Sequence, residues 1–187
     1  MRKIILGLAF VLASNIVNAQ VEVKLNPFGL LFGSPDLSGE YFVTPNFGAE
    51  LTLSAEMGKY TTLSGDDFDP KKSGFGVMAS GKYYFSPKED KSCSGFYAGV
   101  YIRQKDFKVT DDSNSGFVAF KRSIVGTGFL LGQKWVSKNG MMYELVGGLG
   151  RTLSEKNEWI DEEGVADDAD LELGLDGILR FSIGYRF

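Results

Sequence analysis

Along most of the chain apolar and polar side chains alternate with a period of two, the spacing of a strand that shows one face to an apolar medium. The C-terminus is the clearest case: Leu179, Phe181, Ile183, Tyr185 and Phe187 share one face, while Ile178, Arg180, Ser182, Gly184 and Arg186 share the other. The pattern recurs at 47–57, where Phe47, Leu51, Leu53 and Met57 alternate with Glu50, Thr52, Ser54 and Glu56. At 75–85, Phe75, Val77, Tyr83 and Phe85 oppose Gly76, Met78, Ser80, Lys82 and Tyr84. At 96–103, Phe96, Val100 and Ile102 oppose Tyr97, Gly99, Tyr101 and Arg103. Segments 125–135 and 143–150 set Phe129, Leu131, Trp135, Tyr143, Leu145 and Leu149 against glycines, Lys134 and Glu144. Two weaker segments, 21–32 and 37–43, precede them.

Together these predict about eight antiparallel strands, most of them reaching the roughly 9–11 residues that a tilted strand needs to cross a bilayer. Breaks on one side are tight, at 44–46 and 137–140; on the other they are long, at 63–73, 110–122 and 154–173. Short turns on one rim and long loops on the other are expected of an outer-membrane barrel. Two breaks depart from this: 86–95 is long for its side and 33–36 is short. No apolar stripe of helical period is evident, so no helix is predicted within the domain. The expected fold is therefore all-β, an eight-stranded antiparallel up-and-down transmembrane β-barrel over residues 20–187.

Residues 1–19 are expected to be a cleavable signal peptide. Arg2 and Lys3 form a charged start, residues 4–13 a short apolar core, and Val17 and Ala19 the small-residue site before Gln20. The apolar run is too short for a spanning helix. Removing Arg2 and Lys3, with no acid, shifts the formal charge from −4 to −6, which argues against nucleic acid as a partner.

The charges decide which face points outward. Lys24, Glu40, Glu50, Glu56, Lys82, Arg103, Lys134, Glu144, Arg180 and Arg186 all lie opposite the apolar face. A lysine or arginine turned into lipid costs roughly 2–4 kcal/mol at midplane, so the apolar face is expected outside and these ten residues inside. Six cations stand against four glutamates on this set, with tyrosine hydroxyls or water expected to complete the contacts. An interior of eight strands is just wide enough for side chains to fill, which predicts a charge-paired plug. Phe47, Phe85, Phe96, Trp135 and Phe187 fall beside the short-turn rim, and Tyr60, Phe75 and Phe107 toward the long-loop rim, as two interfacial girdles would.

The signal peptide, the amphipathic strands and the terminal Ile183-Gly184-Tyr185-Arg186-Phe187 resemble the small OmpA/OmpX-type outer-membrane barrel superfamily. The resemblance implies that Phe181, Ile183, Tyr185 and Phe187 form the signal read by the barrel-assembly machinery. It also implies a structural, adhesive or stress-related surface role, among which fold does not choose.

Catalytic chemistry is thinly represented. With no histidine, Ser-His and Cys-His nucleophilic sites and His-ligated zinc are excluded. Gly76 to Lys82 spells a near-match to a phosphate loop, but Tyr83 replaces the Ser/Thr and the segment reads as a strand. Cys93, the single cysteine, reads as a turn residue that no intrachain disulfide can use. The acidic run 155–172 offers a weak divalent-cation site at the cell surface, although its spacing matches no calcium loop and such runs are usually solvated. The expected function is thus a non-enzymatic integral outer-membrane protein, monomeric and without cofactor, in contact with outer-membrane lipid and lipopolysaccharide. The alternatives are a narrow channel or small-ligand-binding barrel, and a secreted soluble barrel of lipocalin type.

Overall fold

The computed structural model describes residues 21–31, 33–59, 71–85, 93–111, 117–161, 164–168 and 174–187. The signal-peptide segment, Tyr60 and most of the 86–95 break lie outside the described residues. In chain order the elements are β1 (Val21–Leu25), α1 (Pro27–Leu31), β2 (Asp36–Thr44), β3 (Phe47–Lys59) and β4 (Lys71–Tyr84). They continue with β5 (Gly95–Asp111), β6 (Phe117–Val136), β7 (Met141–Asp161), β8 (Gly164–Asp168) and β9 (Leu175–Arg186).

Strands β1 to β7 pair antiparallel in sequence, β9 pairs with β7, and β9 also pairs with β1, so eight strands close into a ring. Closure gives the backbone groups of the outermost strands partners that an open sheet lacks. The short β8 stands outside the ring as an arm on the far end of β7, with Asp161 opposite Gly164.

The register defines the shape of the ring. Starting at Glu22, the successive partners are Glu40, Glu50, Ser80, Tyr101, Gly128, Gly150 and Asp176. Glu22 itself is opposite Arg186, ten residues further along β9 than Asp176. A stagger of that size tilts the strands by roughly 35–45° and, with eight strands, leaves an interior about as wide as the side chains that point into it.

The two-residue period sorts the side chains as the alternation requires. Leu51, Leu53, Val100, Ile102, Phe129, Leu131, Leu145 and Leu149 all point outward and are exposed, Phe129 at 73%. Lys24, Lys82, Glu40 and Glu144 point inward at 0%. Small residues on the inner face make room for large ones: a Cβ at Gly132 would overlap the ring of the buried Tyr97.

Several elements differ from the sequence expectation. Residues 110–122 and 154–173 read as loops, yet β5 runs to Asp111, β6 starts at Phe117 and β7 reaches Asp161. Their apolar alternation fades there, but the hydrogen-bond ladder continues, because pairing needs a partner strand and not an apolar face. Phe107, expected in the outer girdle, is buried inside, its ring 4.3 Å beneath the Lys72 ammonium. A short helix, α1, follows β1 where none was predicted. Its cause is local: the Asn26 side chain accepts the Gly29 N–H at 3.1 Å as an N-cap, and Pro27 occupies the first helical position, where it lacks no bond.

Candidate functional site

The half of the interior beside the short-turn rim is filled by a charge cluster. Lys24 on β1 donates to Glu50 at 2.5 Å, to Glu144 at 2.8 Å and to Glu40. Lys82 on β4 donates to Glu50 and Glu144, each at 2.6 Å. Lys134 on β6 donates to Glu22 at 2.7 Å and Glu40 at 2.8 Å, and lies 4.8 Å from the centre of the Tyr84 ring. Arg186 pairs with Glu22 at 2.5 Å, and Arg180 pairs with Glu50 while donating to Thr52 at 2.9 Å. Tyr84 adds a hydroxyl bond to Glu40 at 2.7 Å. Three carboxylates, Glu40, Glu50 and Glu144, place an oxygen each within 4.8 Å of one another. Lysine ammonium groups stand among them as the counter-cations, so mutual repulsion is neutralised by the protein itself.

No protein-family model matches this chain, and no curated protein sequence matches it either.

Toward the long-loop rim the packing loosens. Glu56 on β3 is held by Lys72 at 2.7 Å, Lys105 at 2.8 Å and the Ser34 hydroxyl at 2.8 Å. Arg103 on β5 pairs with Asp176 on β9, which also accepts the Tyr101 hydroxyl at 2.8 Å. Between these pairs lies a cavity of about 500 Å³ bordered by Met78, Arg103, Ile178 and Arg180. The interior is thus packed solid in one half and hollow in the other, where the sequence suggested a plug throughout.

All ten charged residues selected from the alternation point into the ring, but into two groups. Lys24, Glu40, Glu50, Lys82, Lys134, Glu144, Arg180 and Arg186 belong to the packed cluster; Glu56 and Arg103 belong to the hollow half. Two acids were missed. Glu22 and Asp176 join the inward carboxylates, and Lys72 and Lys105, which hold Glu56, join the inward cations. Glu22 was legible, since it lies two residues from Lys24 on one strand face. Asp176 was not, because it precedes the clear alternation of the last strand.

Phe181, Ile183 and Tyr185 lie on the outward face of β9 and Phe187 follows its last residue, with the Tyr185 and Phe187 ring centres 5.0 Å apart. Of the acidic run, Glu155 is already engaged by Arg122 at 2.7 Å. Side chains from 159 to 173 lie outside the described set, and the cation expectation with them.

Cys93 sits in the turn before β5 with φ of 47° and its thiol buried, donating to the Thr44 carbonyl at 3.4 Å. Burial, reinforced by the charge of Glu40, pushes the thiol up to about 12. The thiol is then fully protonated in the folded state at pH 8, and a maleimide reagent is expected to label it only after unfolding. Labelling of the folded barrel at the rate of a free cysteine would refute the buried placement.

Proposed function

We propose that this chain is a non-enzymatic integral outer-membrane β-barrel with a structural or surface-interaction role. The observation that carries the reading is the polarity of the wall: the outside of the ring is apolar and the inside holds a cluster of paired charges. A water-soluble barrel of lipocalin type needs the opposite arrangement, with the apolar groups inside. A bilayer accepts this one, because closure satisfies the strand hydrogen bonds where water is absent. No described helix is long and apolar enough to cross a membrane, so strands alone would do so. On this reading lipid and lipopolysaccharide surround a monomer, the leader at 1–19 exports it, and the outward aromatic end of β9 engages the assembly machinery.

The packed half of the interior favours a closed barrel over a channel. Lys24, Lys82, Glu40 and Glu144 touch no space large enough for a water molecule. The test combines cell fractionation, gel migration with and without boiling, and planar-bilayer recording. Outer-membrane recovery, faster migration of the unboiled protein and a flat current trace are expected. Recovery in the soluble fraction would overturn the membrane assignment, and discrete conductance steps would overturn the closed interior.

A further inference from the structure

The outer face of the wall changes character at its long-loop end. On β4 to β7 the outward residues pass from Phe75, Ile102, Val125 and Leu153 to Lys71, Lys108, Lys121 and Lys156. At the other rim the outward strand ends are Phe47, Tyr83, Phe96, Trp135, Tyr143 and Tyr185, and no described strand residue facing out there is charged. The two rims therefore offer different chemistry to whatever surrounds them.

The register draws three of the lysines together. Lys108 lies directly opposite Lys121, and Lys156, opposite Ser123, is the diagonal neighbour of Lys121. Direct cross-strand partners have Cβ atoms about 4.5–5.5 Å apart and diagonal ones about 7–8 Å, so three long side chains reach a common point. Like charges placed opposite each other weaken a sheet. Among the described residues none of these three ammonium groups has an ion-pair partner. A groove of about 490 Å³ lies over them, with Ser73, Phe75 and Ser123 completing its border. Two carboxylates also border it: Asp106 accepts the Gln104 amide at 2.9 Å, and Glu158 stands opposite Lys121 without closing an ion pair. The three ammonium groups outnumber them, and the exposed Lys71 and Arg151 on the same face enlarge the surplus.

Height selects the occupant. Lys71 lies four residues beyond Phe75, Lys121 four beyond Val125, and Lys156 three beyond Leu153, the nearest outward apolar residue of each strand. At the rise and tilt of barrel strands that is roughly 7–11 Å above the edge of the apolar belt. The headgroup layer of a bilayer begins at that edge and is roughly 5–8 Å deep, and a lysine stem bends far enough to set its ammonium in it. The anions found at this level are lipid phosphates, which basic pockets at membrane surfaces bind. A phosphomonoester carries nearly two charges and three acceptor oxygens, one for each ammonium group.

We propose that the groove on the outer face of β4 to β7 holds a phosphomonoester headgroup of a glycolipid in the surrounding leaflet. Lys108, Lys121 and Lys156 donate to the phosphate, and Phe75 packs against the start of the acyl chains. This inference rests on the membrane reading above and gives one class of lipid a fixed seat on the barrel.

The test uses the full mature chain, refolded into phosphatidylcholine nanodiscs that carry a minor share of an acylated glucosamine disaccharide with two phosphates, or the same lipid dephosphorylated. Co-elution with the nanodisc and faster unboiled migration report on the membrane reading separately from lipid capture. Native mass spectrometry then counts the glycolipid that stays with the released barrel. Retention of the phosphorylated lipid and loss of the dephosphorylated one are expected. Lys121→Gln is expected to lower retention about tenfold. Lys138→Gln, the same change of charge at the opposite rim, is expected to leave it unchanged. Glu158→Gln removes a repelling charge from the groove and is expected to raise retention about twofold. Inserted, folded barrel that retains both lipids equally would overturn the proposal, as would equal losses in Lys121→Gln and Lys138→Gln. Displacement of the glycolipid by millimolar inorganic phosphate would assign the groove to the free ion and overturn the lipid seat.

Discussion

Glu50→Ala is expected to destabilise the folded barrel by about 3–5 kcal/mol, the cost of leaving buried charges without their partner. Glu50 accepts from Lys24 at 2.5 Å, from Lys82 at 2.6 Å and from Arg180, all on other strands. Its loss strands positive charge in a space that water does not reach. The effect belongs to the imbalance and not to the carboxylate alone, so Lys82→Met placed on top of Glu50→Ala is expected to cost less than the two single changes added together. Coupling of this kind is commonly about 0.5–3 kcal/mol. Urea unfolding of the barrel in lipid vesicles, following tryptophan fluorescence, measures all three. Simple additivity would show that the cluster is a set of independent pairs.

Val100→Arg, on the opposite side of the same wall, is expected to destabilise the barrel in vesicles by about 2–4 kcal/mol. Val100 is 55% exposed on β5, between Gly81 on β4 and Phe129 on β6, in the outward run that includes Phe96, Ala98 and Ile102. The magnitude discriminates between solvents. Against lipid the guanidinium loses its hydration, whereas in water an exposed substitution away from special features stays within about 0.5 kcal/mol. A negligible change in vesicles would mean that hydrocarbon does not cover this face. The two substitutions probe opposite sides of one sheet: the first removes a charge where charge is compensated, and the second adds one where it is not.

Legibility followed physical cause. The alternation of Phe181, Ile183 and Tyr185 against Arg180 and Ser182 is a property of one strand, and it assigned their faces before any neighbour was known. The same local rule placed Lys24, Lys82 and Lys134 on the inner side. Phe107 was misplaced against this rule: it shares the inward face of Tyr101 and Arg103 on β5, and only its nearness to the rim suggested the outer girdle. The rule failed at the strand ends, where β6 and β7 extend by pairing with each other beyond their apolar stretches. Helix α1 was overlooked for a different reason. Asn26-Pro27 is a recognisable helix start, but the five residues of the helix are too few to display a period.

By itself the amino-acid sequence determined the strands of the ring, their two faces and which face carries the charges, since a period of two depends only on the geometry of an extended backbone. Which charges meet was decided by closure. Lys24 and Glu144 are 120 residues apart and come within 2.8 Å because β1 and β7 both pair with β9, so closing the ring leaves a single strand between their inward side chains. The gap that β1 leaves in the wall beside α1 has the same origin. Pro27 ends one strand locally, but that its neighbour β9 continues unpaired, with a cavity behind it, is a relation between distant segments that no local pattern records.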